Sequence, residues 1–235
     1  FPLTEHIHKL PELHATQNLR QKVWEKRRKN IVFDFGGVIA DISREQAVKA
    51  FIRLGVKDAD RILDKYHQTG IFQELEEGSL TEEAYRNELG KLCGRTLSWE
   101  EVQQAWLGFI TGVDIRKLEY LEMLRSEGYK LYVLSNTNPY VMGWACSERF
   151  SSEGKPLTSY FDKLYLSYQV GCTKPEQRIF EYMLSDAGLE PKETLFVDDG
   201  QSNINIASQL GMHTFQPENG CDWRKELSLL LAKLK

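Results

Sequence analysis

Four short polar segments stand where apolar runs end or where a helix is expected to begin. Their residues are Asp34, then Ser135 and Asn136, then Lys174, and last Asp198 and Asp199. The first, second and fourth segments each close an apolar run, and the third precedes a proline. Because parallel strands bring their carboxyl ends to one edge of a sheet, we expect these side chains to share one site.

These residues are suited to a phosphate group and a divalent metal ion. Mg²⁺ prefers a few carboxylates together with water and substrate oxygens, and Asp34 and Asp199 would supply the carboxylates. The Ser135 hydroxyl, nearby backbone N–H groups and Lys174 would hold phosphate oxygens. A carboxylate can also attack phosphorus to form an aspartyl phosphate, so Asp34 is a candidate nucleophile.

Each segment also has a plain structural interpretation. Asp198-Asp199-Gly200 is typical of a turn after a strand, and Ser135-Asn136 could simply cap a following helix. Four such segments in this order, each at the end of a strand or the start of a helix, favour a catalytic site over four unrelated turns.

Alternating apolar runs and helical segments predict the framework that would position these residues. Strands are predicted at 29–37, 130–136 and 194–200, with weaker ones at 163–167 and 212–215. Helices that stop at a glycine are predicted at 118–127, 175–187 and 204–210. Strands buried on both faces, alternating with helices, indicate a doubly wound α/β sheet.

One stretch, residues 43–112, interrupts this alternation. It contains two capping boxes, at Ser43 and Ser98, and four predicted helices with no convincing strand. An insertion after the first strand would lie over the carboxyl ends of the strands and act as a cap. The predicted domains are therefore a helical extension at 1–29, a cap at 43–112, and a core formed by 30–42 and 113–235.

Composition narrows the classes of partner. The 235 residues carry a formal net charge of −4, which argues against a dedicated nucleic-acid binder. No apolar run is long enough to span a membrane, and no export signal is recognisable, so a cytoplasmic location is expected.

The four cysteines lie far apart, which favours reduced thiols over a zinc site. The three histidines near the N-terminus are interpreted as part of a solvated helix, and the oligomeric state stays open.

At these residues the sequence resembles the haloacid dehalogenase superfamily of hydrolases. That family has a strand ending in Asp, a strand ending in Ser or Thr, a Lys before a helix, and a strand ending in acidic residues. The matching segments here are Asp34 with Gly37-Val38, Ser135-Asn136-Thr137, Lys174-Pro175, and Asp198-Asp199. The resemblance covers about residues 30–215 and implies a Rossmann-like core, an α-helical cap at the family's first insertion point, and Mg²⁺ as cofactor.

The resemblance implies a role for each acidic residue of the site. Asp34 would be the nucleophile and a metal ligand. Asp199 and the backbone carbonyl of Gly36 would complete the protein's share of the metal ligands. Asp198 would support the metal site or the catalytic lysine, and Asn203 would contact the metal or a water bound to it.

The resemblance also implies a phosphate-binding set. Ser135 and the backbone of Asn136 would bind phosphate oxygens. Lys174 would stabilise the charge of both the nucleophile and the phosphate. The expected reaction is Mg²⁺-dependent hydrolysis of a phosphomonoester, and the expected partner is a small phosphorylated metabolite.

Gly36 is the departure from the family pattern. Family phosphatases usually carry a second Asp two residues after the nucleophile, which protonates the leaving group and then activates water. Gly36 can offer only its backbone, and losing such an acid costs roughly 10²- to 10⁴-fold in rate. Asp41 and Glu76 are candidate replacement acids, although a loop or cap role for Asp41 and surface solvation for Glu76 are the plainer interpretations.

The same pattern suggests a substrate. The segments Asp34-Phe-Gly-Gly-Val38, Ser135-Asn-Thr-Asn138, and Asp198-Asp199 with Asn203 resemble a branch that includes bacterial α-D-glucose-1-phosphate phosphatases. A sugar 1-phosphate has a comparatively good leaving group. A hexose phosphate or a similar small metabolite is therefore the expected substrate.

Other functions remain open. A phosphonatase would use a cap lysine, for which Lys57, Lys65 and Lys91 are available, and a dehalogenase would need no metal ion. A catalytically weak protein that binds a phosphorylated ligand is a third alternative.

Residues 70–78 are predicted to form a cap loop that dips toward the site. Phe72, Glu74 and Glu76 of this loop are the candidate substrate contacts.

Overall fold

Five parallel strands form the central sheet of the computed structural model, which describes residues 30–64 and 68–234. The strands are β1 (Asn30–Phe33), β4 (Lys130–Ser135), β5 (Lys163–Leu166), β6 (Thr194–Val197) and β7 (His213–Phe215), in the spatial order β5-β4-β1-β6-β7. The first strand, β1, lies between β4 and β6 and is buried along its whole length. The predicted extension at 1–29 lies outside the described residues.

Alternate residues of β1 belong to two different hydrophobic clusters. Ile31 and Phe33 pack with residues such as Leu118 and Trp223, whereas Val32 packs with residues such as Phe180. Because side chains of a strand alternate between the faces of a sheet, helices cover both faces of this one. The predicted doubly wound α/β architecture is confirmed.

Six helices flank the sheet in the described part of the chain, and three of them lie close to the helices predicted at 118–127, 175–187 and 204–210. The six are α6 (Ile115–Ser126), α7 (Pro139–Ala145), α8 (Ser167–Val170), α9 (Gln177–Ala187), α10 (Gln201–Gln209) and α11 (Arg224–Lys233). Asn138 caps α7, because its side-chain Oδ1 accepts hydrogen bonds from the backbone N–H groups of Tyr140 and Val141, each at 3.1 Å. The last helix, α11, was not predicted. None of the described helices is both long and apolar enough to cross a lipid bilayer.

Helices fill the inserted segment. They are α1 (Arg44–Leu54), α2 (Ala59–Ile62), α3 (Ile71–Glu76), α4 (Glu82–Cys93) and α5 (Trp99–Leu107). The predicted capping box at Ser98 is present: its hydroxyl accepts from the backbone N–H of Glu101 at 3.1 Å, and its own N–H donates to the Glu101 carboxylate at 2.8 Å. Among the described residues this segment has five helices rather than four, because residues 71–76, predicted to be a loop, form α3.

A two-stranded antiparallel ribbon joins the inserted segment to the core. Its strands are β2 (Ala40–Ile42) and β3 (Ile110–Val113). The prediction that residues up to 112 contain no strand is therefore wrong at this end. The ribbon places the two connections between the core and the inserted segment side by side, close to the end of β1.

Four aromatic side chains form the centre of the cap. Phe72 lies 5.3 Å from Phe51, 5.5 Å from Tyr85 and 5.6 Å from Trp106, measured between ring centroids. Aromatic pairs at this spacing add to the stability that comes from burial alone. Phe72, a candidate substrate contact, is thus a packing residue of the cap.

Candidate active site

Asp34 follows β1 at the floor of a cavity between the cap and the sheet. Its backbone N–H donates to the carbonyl of Val197 at 2.8 Å, which extends the pairing of β1 with β6 by one residue. Its Oδ1 accepts from the backbone N–H of Phe35 at 2.7 Å and lies 3.0 Å from Nζ of Lys174. Its Oδ2 accepts no hydrogen bond from the described residues, which leaves that oxygen for a ligand.

Lys174 lies between two carboxylates and is almost completely buried. Its Nζ is 2.6 Å from Asp198 and 3.0 Å from Asp34. Burial opposes the charged ammonium, but Asp198 and Asp34 outweigh this effect and raise the pKa of Lys174 above its ordinary value. Lys174 is therefore a fixed positive charge beside the candidate nucleophile.

Asp198 is enclosed by hydrogen-bond donors. Its Oδ1 accepts from the backbone N–H of Gly200 at 2.8 Å, and both carboxylate oxygens accept from Nδ2 of Asn203, at 3.0 and 3.1 Å. With Lys174 as a further donor, the carboxylate of Asp198 is occupied by the protein itself. Asp198 thus contacts both Lys174 and Asn203, and its supporting role stays a prediction.

The side chain of Asn136 fixes the backbone of Lys174. Its Nδ2 donates to the Lys174 carbonyl at 2.8 Å, and its Oδ1 accepts from the Lys174 N–H at 2.7 Å. Sequence reasoning missed this link, since it assigned only the backbone of Asn136 to phosphate. In the sequence, the sign of this link is a polar side chain directly after a buried strand.

Ser135 and Thr137 flank Asn136 in the segment after β4. Ser135 is buried, its hydroxyl lies 3.3 Å from the Asn136 carbonyl, and it is not among the residues that line the cavity. The backbone N–H of Thr137 donates to the Ser167 hydroxyl at 3.0 Å. The structure thus puts Asn136 and Thr137 at the cavity wall, with Ser135 behind them.

Three carboxylates, those of Asp34, Asp198 and Asp199, offer oxygens within 4.8 Å of one another. A Cβ on Gly37, whose φ is +86°, would lie 2.7 Å from the carboxyl carbon of Asp199, so only glycine permits this approach. The side-chain Oδ1 of Asn203 is buried and lacks a hydrogen-bond partner among the described residues. Carboxylates with an orphaned amide oxygen beside them suit Mg²⁺ and the waters that it retains.

Burial and neighbouring charge act together on Asp34. Burial raises its pKa to about 7; Lys174 opposes this effect, and Asp198 and Asp199 add to it. Carboxylates packed this closely repel one another unless a cation joins them. The cluster therefore favours a bound cation at neutral pH.

The cavity encloses about 100 Å³, room for several waters or a small metabolite. Its floor is polar and its cap side is largely apolar. The residues that line the floor include Asp34, Phe35, Gly36, Asn136, Thr137, Asn138, Lys174, Asp199 and Asn203. The cap and the joining ribbon contribute Ile42, Gln68, Glu76, Trp106, Phe109 and Ile110. Glu76 is the acidic member of the cap side.

Three sequence predictions about acidic residues need correction. Glu76 is 8% exposed and lines the cavity, so surface solvation is the wrong interpretation. Glu74 is exposed on the outer face of α3, away from the cavity. Asp41 does not line the cavity; its carboxylate lies 3.1 Å from Nζ of the buried Lys117, which holds the joining ribbon against α6. Helical geometry explains the first two, since residues two apart on a helix face different directions.

Comparison with known proteins places these features in a family. A family model for haloacid dehalogenase-like hydrolases matches residues 28–211. The D-ribitol-5-phosphate phosphatase of Bacteroides thetaiotaomicron is 65% identical over 203 residues, which span 86% of this chain and 98% of that protein.

Solved structures with the same fold include two bacterial enzymes. A predicted haloacid dehalogenase-like hydrolase from Porphyromonas gingivalis superposes with a TM-score of 0.82 at 43% identity, covering 87% of this chain and 98% of that one. A family enzyme from Bacteroides thetaiotaomicron, an aspartate-to-alanine mutant in complex with magnesium and inorganic phosphate, has a TM-score of 0.79 at 34% identity. The match covers 85% of this chain and 98% of that one.

Proposed function

The chain belongs to the haloacid dehalogenase-like hydrolases, and from this premise we propose that it releases inorganic phosphate from D-ribitol 5-phosphate or a closely related polyol phosphate, with Asp34 as nucleophile. Its general activity is that of a Mg²⁺-dependent phosphomonoester hydrolase, as the sequence predicted. The identity of the substrate rests on the 65% identical relative, which is a D-ribitol-5-phosphate phosphatase.

The state of the Asp34 carboxylate carries the assignment of the nucleophile. Its Oδ1 is engaged by Lys174 and by the Phe35 N–H, whereas Oδ2 has no donor among the described residues, and Asp34 lines the cavity. Attack on phosphorus by this oxygen forms an Asp34–phosphoryl bond and expels the alcohol. Water then attacks the phosphoryl group, releases phosphate and restores the carboxylate.

Two other groups of the floor would bind the charge of the phosphate. Lys174 places its ammonium next to Asp34, and the segment from Asn136 to Asn138 lines the wall beside it. Asp34, Asp199 and the backbone of Gly36 would hold Mg²⁺, which when bound neutralises charge on the transferring group. Asp198 holds Lys174 in place rather than serving as a metal ligand.

The alternatives that the sequence left open are less well supported. Of the three cap lysines considered for a phosphonatase, Lys57 and Lys91 are exposed and do not line the cavity, and Lys65 lies outside the described residues. A dehalogenase has no use for a cluster of three carboxylates within 4.8 Å.

A panel of phosphomonoesters with Mg²⁺ tests the substrate. We expect D-ribitol 5-phosphate and related polyol phosphates to give a higher kcat/KM than hexose 1-phosphates and nucleotides, measured by phosphate release. A nucleotide at the head of that ranking would overturn the substrate assignment.

Asp34→Asn tests the nucleophile, since the amide keeps the shape of the side chain but cannot attack phosphorus. We expect phosphate release to fall to background with every ester, while the circular dichroism spectrum stays that of the parent protein. Retained turnover in this variant would remove Asp34 from the reaction.

A further inference from the structure

The lack of an acid at Gly36 matters more for a polyol phosphate than for a sugar 1-phosphate. The alcohol at carbon 5 of ribitol is an ordinary primary alcohol, which leaves poorly as an alkoxide. General acid catalysis typically contributes about 10²- to 10⁴-fold to such a step. If the proposed function holds, as the following inference assumes, a group other than residue 36 must deliver this proton.

The described residues that line the cavity include four with a titratable side chain: Asp34, Glu76, Lys174 and Asp199. Asp34 is the nucleophile, and Asp199 belongs to the carboxylate cluster on the floor. Lys174 lies between two carboxylates at 2.6 and 3.0 Å, which raise its pKa and hold it as a fixed positive charge rather than as a proton donor. Glu76 is the member of this set that has no role in the reaction described so far.

Glu76 is buried at the cavity, and the described residues give it no polar partner. It is the last residue of α3, only 8% of it is exposed, and no described residue forms a hydrogen bond or ion pair with its carboxyl group. An ionised carboxylate would be costly in such a place. A neutral carboxyl group that faces a substrate oxygen would be stable there.

The charges around Glu76 also favour its protonated form. Burial, together with the smaller effects of the charges of Asp34 and Glu77, raises the pKa of Glu76 to about 8. The phenol of Tyr85, which packs behind α3 in the cap, is the other titratable group that interacts with it. With its pKa raised to about 8, the carboxyl group of Glu76 is mostly protonated at neutral pH.

The position of Glu76 suits the direction of the reaction. Phosphoryl transfer places the attacking and leaving oxygens roughly in line on opposite sides of phosphorus. Asp34 attacks from the floor of the cavity, so the leaving oxygen points toward the cap. Glu76 approaches the same cavity from the cap side.

We propose that Glu76, supplied by the cap, is the general acid that replaces the missing aspartate at position 36. As Oδ2 of Asp34 bonds to phosphorus, the bond from phosphorus to the substrate oxygen breaks, and the proton of Glu76 passes to that oxygen. The alcohol leaves and Glu76 is left as a carboxylate. It then takes a proton from the water that attacks the Asp34–phosphoryl bond, which restores the carboxylate of Asp34 and the acid form of Glu76.

A series of aryl and alkyl phosphates with different leaving-group acidity tests this role in Glu76→Gln, which keeps the size of the side chain and removes its acid. The value to compare is kcat/KM, since it reports the steps up to the first irreversible loss of the alcohol. We expect a loss of about 10²- to 10⁴-fold for simple alkyl phosphates and less than about tenfold for 4-nitrophenyl phosphate, whose leaving group needs no proton. The dependence of rate on leaving-group acidity therefore becomes steeper in the variant.

The controls separate this role from two others. Glu74→Gln removes a charge from the exposed side of the same helix, away from the cavity, and it should leave the slope unchanged. If Glu76 only bound substrate hydroxyl groups, the loss would follow the number of hydroxyl groups on the ester and not the acidity of its leaving group. That result, or equal losses for all esters, would overturn the proposal. The aryl series needs no polyol substrate, so a failure of the substrate assignment would be seen separately, as a low rank of D-ribitol 5-phosphate in the parent enzyme.

Discussion

At the scale of single residues, the site is defined by which polar atoms already have hydrogen-bond or ion-pair partners within the protein. Asp198 is occupied by Lys174, Gly200 and Asn203, and Lys174 is occupied by two carboxylates. Oδ1 of Asn203 is buried with no hydrogen-bond partner among the described residues. The contacts that the described residues make to Asp34 go to Oδ1 and leave Oδ2 without a donor. The atoms that the protein leaves available are those that a phosphoryl group, a metal ion or a bound water would use.

The burial of Glu76 predicts how stability depends on pH. Its pKa is raised from 4.5 to about 8 in the folded protein. Between these values the folded state holds a proton that the unfolded state has lost, so the contribution of Glu76 to stability is complete below about pH 4.5 and is lost as pH rises through about 8. Glu76→Gln removes this dependence. Relative to the parent, the metal-free variant should therefore gain on the order of 2 to 4 kcal/mol in free energy of unfolding between pH 4.5 and 8.5.

Urea unfolding in the presence of a chelator, at several pH values, measures this difference. The amide costs a constant amount at every pH, so only the change of the difference with pH is informative. Curves for parent and variant that stay parallel from pH 4.5 to 8.5 would show that Glu76 ionises normally in the folded protein.

Sequence reasoning found the residues that end strands but not the cap residue that faces them. Asp34, Lys174 and Asp199 were predictable because the edge of a parallel sheet gathers whatever follows its strands. For Glu76 the sequence favours surface solvation, since a run of glutamates carries no sign of which member faces inward. Helix α3 decides this, because it turns Glu76 toward the cavity and Glu74 toward solvent.

At the scale of elements, close contacts between the cap and the core define the closed state. The turn after α3 passes over α8, where a Cβ on Gly78 would collide with the carbonyl oxygen of Tyr168. On the other side of the cavity, Nε2 of Gln103 in α5 donates to the carbonyl of Tyr140 in α7 at 3.0 Å. The contacts between the cap and the core therefore include one on α8 and one on α7.

Gly78→Ala should disturb the contact between the cap and the core more than it lowers the free energy of unfolding. The methyl group would keep the turn away from Tyr168 and so move Glu76 away from the floor of the cavity. We expect kcat/KM to fall by about tenfold or more, because misplacement of a catalytic group by about 1 Å can cost 10²-fold. Steady-state kinetics with 4-nitrophenyl and alkyl phosphates would measure the fall, which should be larger for the alkyl ester.

Gly94→Ala is the matched control for this variant. Gly94 also lies in the cap with a positive φ, +68° against +75° at Gly78, but no described atom lies within 4 Å of a Cβ built there. Both substitutions carry the conformational cost of a left-handed alanine, about 1 to 2 kcal/mol. Equal kinetic losses in the two variants would mean that the contact with Tyr168 does not position the cap.

The elements that sequence reasoning missed are those with weak local signals. The strands β2 and β3 have three and four residues, too few for alternation to be recognised, and they are fixed by pairing with each other across about 70 residues of chain. Helix α3 follows a glycine and has no capping side chain, so nothing local marked its start. By contrast, the buried strands of the core and the capped helices α1 and α5 were predicted close to their observed positions.

At the scale of the whole molecule, the metal site links the stability of the core to its ligands. Asp34, Asp198 and Asp199 hold their oxygens within 4.8 Å at the edge of the sheet, with Lys174 as the compensating cation among the described residues that line the cavity. Carboxylates at this spacing destabilise the metal-free fold, and a cation that binds only the folded state stabilises it. The cap covers the same site, so a ligand there contacts both parts of the chain.

Thermal unfolding with and without Mg²⁺ and inorganic phosphate should reveal this link. A ligand at about 100 times its Kd stabilises by about 2.7 kcal/mol, which for a chain of this size corresponds to roughly 5 to 10 °C in Tm. Asp199→Asn should lose the Mg²⁺-dependent part of that increase. A chelator should return the parent to the lower Tm, and NaCl at matched ionic strength controls for screening. The same increase with Mg²⁺ in parent and variant would place the ion elsewhere, because a site that includes the Asp199 carboxylate cannot bind equally well without it.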